Sequence, residues 1–279
     1  MPRASKALNV AATALAPSPH NLFVGTSGWA YSTWKPGFYP ADVPSRAFLH
    51  FYAAHLTSVE VNYTFRTLPS GAQLQGWLDA APPGFRFSFK APQRITHLQR
   101  LRTSPEPKNG SLEPRRNGHD ALNNFIAALA PAHAANKLGP LLFQLPPNFA
   151  ADIPRLTAFL EAPAFAENPH LQIAFEFRHP SWFTKATYSI LRGHNIALCV
   201  AESDDLATPE VSTANFRCYR LRRNGGYTPT EIAAFAKRFT KLALNTEVYV
   251  YLKHEDEPTG ALNATALLAA TSTHKTAGR

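Results

Sequence analysis

The chain has 279 residues, 45% of them hydrophobic, and a net charge of +9, which fits one barrel-sized domain better than two ordinary ones. No apolar run approaches the roughly 20 residues needed to cross a bilayer, so a membrane partner is not expected. Two cysteines make no disulfide framework, and without C-x-x-C or Cys/His spacing they make no zinc motif.

Residues 1–20 read as a flexible N-terminal tail. Their apolar stretch faintly imitates a signal peptide, but Asn9 and Thr13 interrupt it and Pro17 disfavours cleavage, so a cytoplasmic protein is expected. Residues 22–25 open the first strand. The loop at 26–40 is dense in aromatics, of which Trp29 and Tyr31, nearest the strand end, are placed to stack on a ligand. Helical spacing of Phe48, Leu49, Tyr52 and Leu56 follows over 45–55. In the second strand, 59–62, Glu60 and Asn62 alternate with valines, and Ser70 caps a helix that runs through Trp77. Phe85, Phe87 and Phe89 hold one face of the third strand, with Arg86, Ser88 and Lys90 on the other.

Residues 98–118 are rich in Ser, Pro, Asn and Arg and are expected as a long basic loop. A helix over 121–135 precedes a fourth strand at 141–145, opened by Gly139-Pro140 and carrying Gln144 near its end. After a helix over about 153–160, the fifth strand puts Phe175 and Phe177 on one face and Ala174, Glu176 and Arg178 on the other, until Pro180 ends pairing. A helix over 184–193 leads to the sixth strand, 198–202. Only a short connection then reaches the seventh strand, 216–222, so the sixth helix is expected to be short or missing. Thr228-Pro229-Thr230-Glu231 forms a capping box for a helix to about 244. The eighth strand, 249–253, precedes a last helix over 260–270, and 271–279 read as a flexible C-terminal tail.

Eight strands, most of them separated by helices, predict an α/β fold: a single (β/α)₈ TIM-like barrel over 21–270, with its polar residues crowded at the C-terminal strand ends. Five stretches taken together, Gly25–Trp29, Glu60–Asn62, Phe89–His97, Gly139–Pro147 and Glu176–Trp182, resemble the YecE-like family, domain of unknown function 72. The resemblance covers about residues 22–270. It implies one TIM-like barrel and no established reaction.

At the rim, the inward cations Lys90, Arg178, Arg220, Arg222 and Lys253 outnumber the acids Glu60, Glu176 and Glu202. A concave mouth of that sign attracts an anion, and Arg suits bidentate capture of phosphate or carboxylate. The expected ligand is therefore a small phosphorylated or carboxylated compound, with Asn62, Gln144, His179, Trp29 and Tyr31 completing the binding set. Glu60 and Glu176 are the candidates for acid–base work, and Lys90 for a base or Schiff-base nucleophile, in a metal-independent hydrolase or lyase. The bland alternative is a salt-bridge network that fixes strand register. His97, Glu60, Glu176, His179, Glu202 and His254 are metal-ligand types, but they lack H-x-H or H-E-x-x-H spacing, and the nearby cations repel a divalent ion, so no metal or cofactor is expected. Cys199 and Cys218 are expected as small core residues on neighbouring strands. Seven of the nine net charges lie in 1–20, 98–118 and the C-terminal end. That distribution keeps open a second class, a nucleic-acid or polyanion binder of phosphodiesterase- or endonuclease-like barrel type.

Overall fold

Alternation along each strand sends one row of side chains outward to the helices and the other into a common interior. The computed structural model describes residues 21–102, 118–203, 206–253 and 256–273. The expected N-terminal tail, residues 103–117 of the basic loop, His254 and residues 274–279 lie outside the described residues. In chain order the elements are β1 (Leu22–Thr26), α1 (Phe48–His55), β2 (Ser58–Val61), α2 (Gly71–Ala80), β3 (Arg86–Lys90), α3 (Gly118–Ala134), β4 (Leu138–Gln144) and α4 (Ile153–Leu160). There follow α5 (Pro163–Ala166), β5 (Ile173–Glu176), α6 (Lys185–Gly193), β6 (Ala197–Glu202), β7 (Phe216–Leu221), α7 (Pro229–Ala243), β8 (Glu247–Leu252) and α8 (Thr259–Thr273). All strand pairs are parallel, in the order β1-β8-β7-β6-β5-β4-β3-β2. Among the described residues no helix is long and apolar enough to cross a membrane.

The seam between β1 and β2 closes the ring without a regular ladder. Thr57 bridges it, its N–H donating to Val24 O at 3.1 Å and its hydroxyl accepting from Val24 N at 2.8 Å. The buried Tyr52 hydroxyl adds a bond from Thr26 N at 2.7 Å and one to Ser58 O at 3.0 Å. Such close approach requires Gly25, because a Cβ there sits 1.8 Å from the Ser58 carbonyl oxygen.

Outward residues such as Val59, Val61, Phe87, Phe89, Phe143 and Phe175 join the helices in one large buried cluster. Each such side chain contributes roughly 1.5–3 kcal/mol by leaving water. A second cluster, Phe23, Leu142, Ala174, Cys199, Cys218 and Tyr249 among them, fills the interior toward the N-terminal strand ends. Above it, the Tyr251 hydroxyl meets Ser58 Oγ at 2.8 Å and Ser88 Oγ at 2.5 Å. The interior thus grades from apolar through hydroxyl to charged toward the C-terminal mouth.

No helix separates β6 from β7 among the described residues, as expected from the short connection. Elsewhere the bounds shift for identifiable reasons. β4 begins at Leu138 rather than 141, because a register shift opposite Phe87 and Phe89 takes Pro140 into the strand as a bulge. β5 ends at Glu176, so Arg178 stands beyond the ladder and is exposed, not on a shared strand face. α5 was not foreseen, and α8 continues through Thr273, into the expected tail.

Candidate functional site

Alternation points Glu60 of β2, Glu176 of β5 and Arg220 of β7 inward at one level near the strand ends. They meet there, 0%, 3% and 1% exposed. Arg220 Nε donates to Glu60 Oε2 at 2.9 Å and Nη2 to Glu60 Oε1 at 2.7 Å, a bidentate pair, while Nη1 bonds Glu176 Oε2. Gln144, beside Glu176 in the β4–β5 register, donates to Glu176 Oε1 at 2.8 Å. Burial alone raises a carboxyl, but Arg220 and Arg222 outweigh it and hold Glu176 below the usual range. Burial likewise opposes charge on Arg220, yet Glu176 and Glu60 raise its pKa and keep it protonated.

Two cations of the mouth, Lys90 and Arg222, stand outside this network. Lys90, at the end of β3, is half-buried with Nζ 4.3 Å from the Phe65 ring centroid. Its pKa is lowered to about 8, first by burial and then by Arg220, with Glu60 and Glu176 pulling the other way. Arg222 donates to Ser27 Oγ at 3.2 Å, and burial together with Arg220 lowers it to about 10. Among the described residues neither Lys90 nor Arg222 makes an ion pair, because Arg220 engages both buried carboxylates. His97 stacks edge-on against the same Phe65 ring at 4.9 Å and is lowered by burial, Lys90 and Arg178. Lys253 lies just past β8 and bonds Asn224. Glu202 turns outward from this group to Arg223, which also holds Glu231.

Around the charged centre, Tyr31 reaches back to Ser27 O at 3.0 Å, and its hydroxyl is raised to about 12 by burial and Glu60. Trp29 packs edge-on to Trp77 at 5.3 Å. The Asn62 carboxamide oxygen is buried with no hydrogen-bond partner among the described residues. His179 caps the turn at 180–182, its Nδ1 2.7 Å from Ser181 Oγ. Arg178, Arg222 and Glu176 share a cavity of about 400 Å³ with Ser203 and Thr208. Among the described residues no three His, Cys, Asp or Glu side chains gather to hold a metal ion. The structure therefore brings Glu60, Gln144, Glu176 and Arg220 into one bonded network, sets Lys90, Arg222 and Tyr31 against it, and leaves Trp29, His179 and Lys253 in local contacts of their own. Sequence reasoning missed Phe65, Ser27 and Thr208. Ser27 lies inside the Gly25–Trp29 stretch already singled out, whereas Thr208 carries no local signal.

A family profile described as "Protein of unknown function DUF72" matches residues 23–278. The chain is 28% identical over 167 residues to the UPF0759 protein YunF of Bacillus subtilis (strain 168), covering 60% of this chain and 54% of that protein. To the UPF0759 protein YecE of Escherichia coli (strain K12) it is 27% identical over 165 residues, covering 59% and 51%. The chain thus spans about half the length of the curated relatives it matches. A DUF72 family crystal structure from Thermotoga maritima MSB8 aligns with a TM-score of 0.72 at 25% identity, over 91% of this chain and 99% of that one. Another from Enterococcus faecalis V583 aligns with a TM-score of 0.63 at 18% identity, over 90% and 97%, and shows the shared fold alone. With the profile running from β1 past the end of α8, and relatives agreeing in sequence and fold, the chain belongs to the family of proteins of unknown function DUF72.

Proposed function

We propose that this barrel binds a small phosphorylated or carboxylated compound at its C-terminal mouth and that Lys90 moves a proton to or from it. The observation that carries the reading is the pair Lys90 and Arg222, half-buried cations without an ion-pair partner among the described residues above two carboxylates already engaged by Arg220. Buried charge without a counter-ion is disfavoured, and an anionic ligand supplies the missing partner. With a pKa of about 8, about a tenth of Lys90 is neutral at pH 7, enough for a general base or an amine nucleophile. Glu176, held ionised, serves as an acceptor, and Glu60 with Glu176 positions Arg220 beneath the ligand.

Calorimetric titration with inorganic phosphate at low ionic strength tests the reading. The wild type is expected to bind, and Arg222→Met to weaken binding about tenfold or more, since a hydrogen bond to a charged group is worth roughly 1.5–3 kcal/mol. Absence of binding to phosphate and to simple carboxylates, with salt-sensitive capture of DNA or RNA in its place, overturns the proposal in favour of a polyanion binder.

A further inference from the structure

Alternation along β3 and β7 stacks the interior in steps. Ser88 of β3 is the register partner of Glu60, so Lys90, the next inward residue on β3, stands one step nearer the mouth than Glu60. Arg222 likewise follows Arg220 by two positions at the end of β7. In the eight-strand order β3 and β7 lie four places apart, on opposite walls of the ring. The amine and the guanidinium thus approach from opposite sides the space above the carboxylates, close enough for Arg222 to act on Lys90. Both side chains keep part of their surface accessible. Arg222 is bonded to Ser27 Oγ. Lys90 Nζ lies on the face of the Phe65 ring and makes neither a hydrogen bond nor an ion pair among the described residues.

The two cations differ in what they offer a ligand. Arg222 holds an anion without titrating, whereas a half-buried lysine gives up its proton readily. Around Lys90 the ring covers one side, Arg220 and Arg222 repel the proton, and the two acids that favour it are bonded to Arg220. A neutral amine with its lone pair free takes up an aldehyde or ketone reversibly. We infer that the compound bound at the mouth is an anionic aldehyde or ketone, its phosphate or carboxylate held by Arg222 and its carbonyl carbon joined to Lys90 Nζ as an imine. The inference rests on the anion reading and names its substrate class. In the joining step the nitrogen lone pair forms the N–C bond as the C=O π pair moves to oxygen. Both protons of the neutral amine pass to that oxygen, which leaves as water. This passage is the proton movement from Lys90 to the ligand. One further proton from solvent gives the iminium, whose nitrogen draws in the electron pair of an adjacent C–H or C–C bond as it breaks.

Borohydride traps an imine by adding hydride to its carbon, and peptide mapping by mass spectrometry locates the resulting secondary amine. The whole chain is incubated at neutral pH with glycolaldehyde phosphate or with glyoxylate and then reduced. At least one probe is expected to label Lys90 at least about tenfold faster than the exposed Lys185 and Lys237, since a shift from 10.5 to about 8 multiplies the neutral fraction by about 300. Labelling by the first probe alone marks a phosphorylated substrate, and by the second alone a carboxylated one. Saturating inorganic phosphate and Arg222→Met are each expected to slow the Lys90 adduct about tenfold while leaving Lys185 and Lys237 as they were. No preference for Lys90 with either probe, or a Lys90 adduct that either perturbation leaves as fast, overturns the inference. The anion reading then stands if inorganic phosphate binds the wild type by calorimetry and falls if it does not.

Discussion

Replacing Arg220 with methionine takes away the guanidinium that pairs with two buried carboxylates. Glu60 loses both of its bonds from the guanidinium and Glu176 loses one of two, at positions 0% and 3% exposed. Breaking a buried pair by deleting one partner costs about 3–5 kcal/mol, because the remaining charge is stranded. Here two charges are stranded, so a loss of at least about 4 kcal/mol at pH 7 is expected, a large share of the roughly 5–15 kcal/mol that holds a domain folded. For 279 residues the unfolding entropy is about 0.6 kcal/mol/K, which converts that loss into a drop in Tm of about 7 °C.

The pH dependence gives the sharper test. In the wild type, Glu176 has a folded pKa below its ordinary 4.5, so it contributes stability that is present above that value and lost as the pH falls through the folded pKa. In Arg220→Met the largest influence lowering Glu176 is gone, burial still acts to raise it and Arg222 still acts to lower it, so its folded pKa moves up from the wild-type position. The stability that the wild type loses as acid protonates Glu176 is then smaller in the variant. Urea midpoints measured from about pH 6 down to about pH 3 are expected to fall less steeply in the variant than in the wild type. Parallel slopes, or a loss below about 1 kcal/mol at pH 7, refute the buried-triad reasoning.

Lys90→Met is expected to stabilise the protein by up to about 3 kcal/mol at neutral pH, since the lowering from 10.5 to about 8 is a cost carried by the folded state. That cost is full below the folded pKa and relieved as the pH rises toward the unfolded one, so the gain is expected to fade between about pH 8 and 10.5 in urea titrations. Gly25→Ala places a methyl 1.8 Å from the Ser58 carbonyl oxygen, and β1 must move away from β2 to admit it. A loss of at least about 3 kcal/mol, read as an early urea midpoint or absence of folded protein, is expected, and a midpoint equal to wild type refutes the close seam.

The barrel was legible because its signals are local. Phe85, Phe87 and Phe89 announce a strand with one apolar face, and the capping box at Thr228–Glu231 forms as read, with the Thr228 hydroxyl and the Glu231 carboxylate each meeting the other's backbone N–H. The charged layer was legible as residue types, since alternation alone turns Glu60, Lys90, Gln144, Glu176 and Arg220 to the same side. The pairing within it was not. Arg220 lies 160 positions from Glu60 and 44 from Glu176, and nothing local says which cation takes the carboxylates. Pro140 misled for the opposite reason: a local rule against proline in strands was overridden by a bulge against β3. Thr208 was invisible because an idle hydroxyl is defined by what fails to reach it in three dimensions.

A network that served only to lock strand register would leave its surroundings electrically quiet, each cation taking its own carboxylate. In this barrel one arginine takes both buried acids, and Lys90 and Arg222 above it go without an ion pair among the described residues. The division has a chemical consequence. Arg220 is the second-largest influence lowering Lys90, after burial, while Glu60 and Glu176 act to raise it. Removing Arg220 therefore frees two carboxylates toward Lys90 and withdraws a repelling charge, and both changes return the amine to its protonated form. Burial lowers Lys90 most, and Arg220 adds to it against Glu60 and Glu176, an electrostatic influence that a well-packed apolar replacement of all three residues could match in stability but not in chemistry.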